Sequence, residues 1–196
     1  MDGFAAIGRR RLLLRATVVS MISCAGEGML VVCAPLMGVA LTGNAGYGAL
    51  LLTVVAAGAL AANAGLARLS AGTSRVRAVL GDPDVILLVS TVLLAGAMVL
   101  AAVAGSYAVA VVAAVVAGVA EGPQLTALFS VRHREAPARL RSQIFTTGAS
   151  LKITSFAVGS AIAGPLAAHS LTAALVVAAC CQALAALTFW LLSPRR

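Results

Sequence analysis

Residues 118–152 read GVAEGPQLTALFSVRHREAPARLRSQIFTTGASLK. An apolar run carrying Glu121 meets four arginines, Arg132, Arg134, Arg139 and Arg141, and a second apolar run then carries Lys152, the only lysine of the chain. Basic residues concentrated in a short gap between two long apolar runs are the mark of a membrane hairpin, because Lys and Arg in short loops stay on the cytoplasmic side. The rest of the chain obeys the same rule. Of its 196 residues, 61% are apolar and only 10% charged, against roughly 25% charged in ordinary soluble domains. The mean hydropathy is +1.04. Most side chains must therefore meet lipid or one another, and an all-α integral membrane bundle is expected.

A helix crossing the bilayer needs about 20 apolar residues, and six segments meet or approach that length: 14–41, 46–67, 85–104, 107–129, 143–167 and 171–192. They form a single transmembrane domain over residues 1–196. The third, VILLVSTVLLAGAMVLAAVA, is the cleanest. Residues 1–11 read as a lead-in on the cytoplasmic side, not as a cleaved signal, since the apolar run after them is too long and opens a multispan pattern. Tight connections at TGNA, GS and AHS alternate with long ones at 68–84 and 130–142.

Of the 14 Lys and Arg, all except Lys152 fall before or at the very start of the first span, after the second, after the fourth or after the sixth. The three tight connections carry none. Both termini are thus expected in the cytoplasm, and the cell membrane is the expected location. Tyr47 and Tyr107 open spans at the outer side and Trp190 closes the last at the inner side, matching the preference of these residues for the interfaces. The net charge of +8 lies in gaps between apolar runs and forms no patch on a polar domain, so nucleic acid is not an expected partner.

Three charges interrupt the spans. Glu121 stands ten residues before the inner boundary and Lys152 ten after it, so a rise of 1.5 Å per residue puts both about 15 Å from the cytoplasmic edge, half of a ~30 Å core. Glu27 reaches a similar level. Each costs roughly 3 kcal/mol at mid-bilayer on insertion scales, so all three are expected to face inward. Ser20, Ser23 and Glu27 share one helical face, as do Glu121 and Gln124, and Lys152 and Ser155. The bland reading makes Glu121 and Lys152 a buried ion pair that fixes the packing. The functional one places Glu27, Glu121, Gln124 and Lys152 on a pathway for substrate or protons, with Glu27, lacking an obvious partner, as a proton-exchanging carboxylate. The third and sixth spans, without charges, are expected at the periphery.

Small residues and prolines set the packing expectations. Gly118 and Gly122 form a GxxxG, and Ser160 and Gly164 a small-xxx-small pair ahead of Pro165, both suited to close helix approach. Pro35 is expected to bend the first span and Pro123 to make the fourth irregular beside Glu121. Cys24, Cys33, Cys180 and Cys181 lie in apolar runs and read as packing residues. No metal or cofactor is expected, and no enzyme: Asp82 and Asp84 in GDPD read as a turn opening the third span, and His133 and His169 fall on opposite sides.

Six spans, the cytoplasmic VRHREAPARLRSQIFTTGASLKI and the closing AVGSAIAGPLA resemble, over nearly the whole chain, the second half of a transporter of the major facilitator superfamily, drug-export-like members above all. SAIAGP, residues 160–165, is similar to the GxxxGP part of the antiporter motif, with Ser160 in place of its leading glycine. GLARLSAGTSRVR echoes the loop signature GxLaDrxGrr without its aspartate; Arg68 occupies that neighbourhood. The resemblance implies two inverted three-helix repeats, with the first, second, fourth and fifth helices lining a cavity and the third and sixth outside it. It implies a secondary transporter or half-transporter, exporting a small molecule in exchange for protons. Complete members hold substrate between two halves, so a homodimer or a separate first-half chain is the implied partner, besides lipid, substrate and protons. The alternative is a non-transporting membrane subunit or a truncated, inactive fragment.

Overall fold

The computed structural model describes residues 2–70 and 82–193. Within them the chain is helical: α1 Asp2–Arg9, α2 Arg11–Thr42, α3 Gly46–Ser70, α4 Pro83–Ala102, α5 Tyr107–Glu135, a 3-10 turn Ala138–Leu140, α6 Arg141–His169 and α7 Leu171–Leu191. The helices α2 to α7 are the six expected spans, and all six are long and apolar enough to cross a membrane. Arg75, Arg77, Arg195 and Arg196 lie outside the described residues.

The ends of the spans follow from local chemistry. Gly43, at φ 77°, closes α2 in the left-handed conformation, its N–H donating to the Val39 carbonyl at 2.8 Å, a position glycine occupies without steric cost. Asp82 caps α4, accepting from the Asp84 N–H at 2.9 Å with Pro83 as the first helical residue, so GDPD is the helix-opening turn its sequence implies. Ser106 and Ser170 cap α5 and α7 in the same way, accepting from Val109 and Ala173.

Two boundaries differ from the sequence reading. The residues taken as lead-in form α1, which buries Ile7 against Leu13, Ala136 and Ile144 and sets Gly3 against Thr147 of α6. The long connection expected at 130–142 is mostly helix, because α5 continues to Glu135 and the 3-10 turn leads directly into α6. Charged residues lower hydropathy without opposing helix formation, so an apolar-run criterion stops short of both.

The packing is interlaced. α2 lies chiefly against α6 and α7, and α5 chiefly against α3 and α4, while α4 and α7 join the two groups. Exchanging the first three spans with the last three maps α2–α6 onto α5–α3 and α2–α7 onto α5–α4, and leaves α4–α7 in place. α3 and α6 are the outermost spans: 6% and 11% of their apolar windows are buried, against 39% for both α4 and α7. The expectation that the third and sixth spans form the periphery is therefore corrected within this bundle. Their small residues, among them Ala97, Ala174 and Ala178, let them sink against α2 and α5, as small side chains allow in apolar surroundings.

Glycines mark the tightest crossings. A methyl at Gly118 would strike the Val55 carbonyl and one at Gly122 the Ala59 carbonyl, so the GxxxG is the α5–α3 contact. The equivalent α2–α6 contact sets Gly28 against Phe156 and Gly159 against Ala25, with Ser160 Oγ donating to the Gly28 carbonyl at 3.2 Å. Gly164, expected to pack here, has open space where its Cβ would be; it lies beside an exposed Pro165. The helices run unbroken through Pro35, Pro123 and Pro165. The irregular turn expected at Pro123 is absent, since one missing N–H frees a single carbonyl and the ladder continues on either side. Pro35 sits at the α2–α3 crossing, where Gly48 approaches its Cα.

Candidate functional site

The middle of the bundle holds the three charges. Glu27 stands near the centre of α2, Glu121 near the centre of α5 and Lys152 in the first half of α6. Lys152 Nζ lies 3.5 Å from Glu27 Oε2. The ion pair therefore joins Lys152 to Glu27, and the expected pair of Lys152 with Glu121 is corrected, as is the view of Glu27 as a carboxylate without a partner. The reason is azimuthal. Helix depth places all three at one level, but α2 packs along α6 whereas α5 and α6 touch little. What contact those two make lies toward their connection, where Phe129 and Phe145 stack at 5.8 Å and the buried Arg132 donates to the Gly148 carbonyl at 3.3 Å.

At 3.5 Å the pair is longer than the roughly 2.8 Å of a charge-assisted hydrogen bond, so it is an electrostatic contact. Glu27 is 6% exposed, and the Lys152 side chain is 18% exposed. Glu121 is half-buried and makes no ion pair among the described residues, yet it lies within electrostatic reach of both Glu27 and Lys152. The Lys152 ammonium is thus held by Glu27, with the Glu121 carboxylate of α5 nearby and outside ion-pair distance.

Gln124 is part of a buried polar cluster on the same level. Its Nε2 donates to Ser23 Oγ at 3.1 Å and to Thr91 Oγ1 at 3.0 Å. Ser23 Oγ also faces Glu27 Oε1 at 3.2 Å and Gln182 Oε1 at 2.7 Å. The ionic site is therefore wired by hydrogen bonds to α4, α5 and α7. The sequence reading does not single out Gln182 and Thr91, although each is one of the few polar side chains in a largely apolar span.

A second charged cluster caps one end. Arg15, 4% exposed, pairs with Asp84, lies 4.3 Å from the Phe189 ring centroid and donates to Ser193 Oγ at 3.0 Å. Arg134 bridges the other Asp84 oxygen and Glu135, both at 2.9 Å. Arg10 donates to the Glu135 carbonyl at 2.8 Å. The start of α2, the start of α4, and the ends of α5 and α7 are tied together there, so the described arginines gather at one end of the bundle. At the other end, Tyr107 donates to the Tyr47 carbonyl at 2.9 Å and the two rings meet edge to face at 5.1 Å.

Cys24 and Cys33 are buried, Cys181 is half-buried, Cys180 is exposed, and all four are free thiols. Among the described residues, no three His, Cys, Asp or Glu converge on a point that would hold a metal ion. An apolar cavity between α2, α3, α4 and α5, lined by Leu30, Met37, Leu51 and Ala113 among others, touches none of the three charges. No known protein family, curated protein or solved structure matches the chain.

Proposed function

We propose that this bundle is one six-helix unit of a secondary transporter of the major facilitator kind, exporting a small organic molecule in exchange for protons across the cell membrane. The observation that carries the reading is the Glu27–Lys152 pair at 3.5 Å with Glu121 in reach. Two carboxylates competing for one ammonium inside an apolar bundle can exchange a proton for a second cation, and intramembrane ionisable groups mark such pathways. In this reading Glu27 and Glu121 carry protons and Lys152 is their counter-charge.

Two features support it further. The interlaced contacts follow the pattern that two inverted three-helix repeats would produce. The least covered spans, α3 and α6, flank the ionic site, which leaves a face for a second six-helix unit, either another copy of this chain or a first-half unit. The arginine-rich end faces the cytoplasm by the positive-inside rule, with both termini there.

The test is reconstitution. The purified chain in liposomes with an acidic lumen should accumulate a cationic dye in proportion to the proton gradient. Absence of gradient-dependent movement, together with monomeric behaviour in detergent, would instead favour a non-transporting subunit.

A further inference from the structure

The hydroxyl of Ser23 has one proton and faces two acceptors. Ser23 Oγ lies 2.7 Å from Gln182 Oε1 and 3.2 Å from Glu27 Oε1, while it accepts from Gln124 Nε2 at 3.1 Å. Both amide orientations are fixed by groups that can play only one part. Thr91 gives its single proton to the Leu87 carbonyl at 2.8 Å, so the group 3.0 Å from its oxygen must be a donor, the Gln124 amide nitrogen. The Ser23 carbonyl can only accept, so the group 2.9 Å from it is Gln182 Nε2, which turns Gln182 Oε1 toward the Ser23 hydroxyl. Ser23, Thr91 and Gln182 are fully buried and Gln124 is 4% exposed, so the cluster lies away from the surface.

The count of protons then depends on Glu27. With Glu27 ionised, its Oε1 and Gln182 Oε1 compete for the one Ser23 hydrogen, while the Cys24 thiol is a further hydrogen-bond partner of the Glu27 carboxylate. With a proton on Oε1, the Glu27 carboxyl donates to the remaining lone pair of Ser23, Ser23 donates to Gln182, and the competition for the Ser23 hydrogen ends. The other carboxylate oxygen, Oε2, faces Lys152. One oxygen of Glu27 therefore meets a group that suits the charge, and the other meets a hydroxyl whose single hydrogen it shares with Gln182 unless it carries a proton itself.

We propose that Ser23, held by Gln182 and Gln124, reads the protonation state of Glu27 and transmits it to α4, α5 and α7, as a positioning residue for the proton-carrying step. The inference rests on the reading of Glu27 as a proton carrier. The other titratable groups around Glu27 are Lys152 from α6, Glu121 from α5, Cys24 on α2 itself and Cys181 from α7, which meets α2 at Gly26. The charged residues of α3 and α4 described here, Arg68 and Asp84, stand at the ends of those helices.

Infrared difference spectra of the purified chain in liposomes, taken between acidic and alkaline buffer, test this directly. We expect a protonated-carboxyl carbonyl band that is lost in Glu27→Gln and displaced in Ser23→Ala, and that stays near its wild-type position in Ser23→Thr, which keeps the hydroxyl. Gln182→Leu, which removes the competing acceptor, should displace the same band and serves if Ser23→Ala does not fold. A Glu27 band unmoved by the Ser23 and Gln182 changes overturns the proposal, and so does the absence of any band that Glu27→Gln removes. The readout is independent of dye movement: a displaced band in liposomes that transport nothing refutes transport alone, and transport with an unmoved band refutes the role of Ser23 alone.

Discussion

Lys152 on α6 reaches Glu27 on α2 at 3.5 Å, although 125 residues separate them, while Glu121, much nearer in sequence, stays outside ion-pair distance. The ion pair thus follows the packing of the helices and not the order of the chain. A charge removed from such a pair leaves its partner uncompensated in a low-dielectric setting, which typically costs about 3–5 kcal/mol.

The first prediction concerns coupling. Glu27→Gln and Lys152→Met should each destabilise the detergent-solubilised protein by roughly 3 kcal/mol, and the double variant should recover most of that loss. The Glu121→Gln, Lys152→Met combination should recover much less. Unfolding titrations followed by circular dichroism give both cycles, and equal coupling in the two would remove the special place of Glu27.

Helix contacts provide the second. Gly118→Leu and Gly122→Leu drive a side chain into the carbonyls of Val55 and Ala59, and overpacking of this kind costs about 1–3 kcal/mol. Gly164→Leu meets open space and should leave thermal stability unchanged or slightly raised, since leucine is the better helix former. Melting temperatures of the three variants should separate accordingly.

The third lies at the arginine end. Asp84→Asn leaves the buried Arg15 without its carboxylate and should cost on the order of 3 kcal/mol. Arg134→Gln removes a side chain that is 42% exposed and should cost less than about 1 kcal/mol. If the two losses are alike in chemical denaturation, Asp84 is not the centre of that cluster.

The fourth concerns topology. In a cysteine-free background, a single cysteine at Gly105 should react with a membrane-impermeant thiol reagent from outside intact cells, and one at Ala138 only after the membrane is opened. The reverse pattern would place the arginine-rich end outside.

The number and extent of the spans were legible because bilayer thickness and the rise of a helix leave little freedom, and serine, proline and aspartate at 82–84, 106 and 170 mark the starts. The level of the three charges was legible by the same arithmetic. Their pairing was not, since depth along an axis says nothing about rotation around it or about which helices are neighbours. A small-xxx-small pattern likewise permits close approach without requiring it: Gly118 and Gly122 use the permission, Gly164 does not. The Asp84 cluster had a usable signal, an acidic residue at the start of a span on the side where arginines collect. The Ser23 cluster had a fainter one, a few polar side chains in each of four largely apolar spans.

The central claim is that Glu27 exchanges protons against a transported cation. A pH-sensitive dye trapped in liposomes that contain the purified chain and start with an acidic lumen reports proton loss when a cationic substrate is added outside. The account predicts that the lumen becomes more alkaline with the wild-type chain and that Glu27→Gln abolishes this change at unchanged protein incorporation. Proton movement of wild-type size in Glu27→Gln would contradict it.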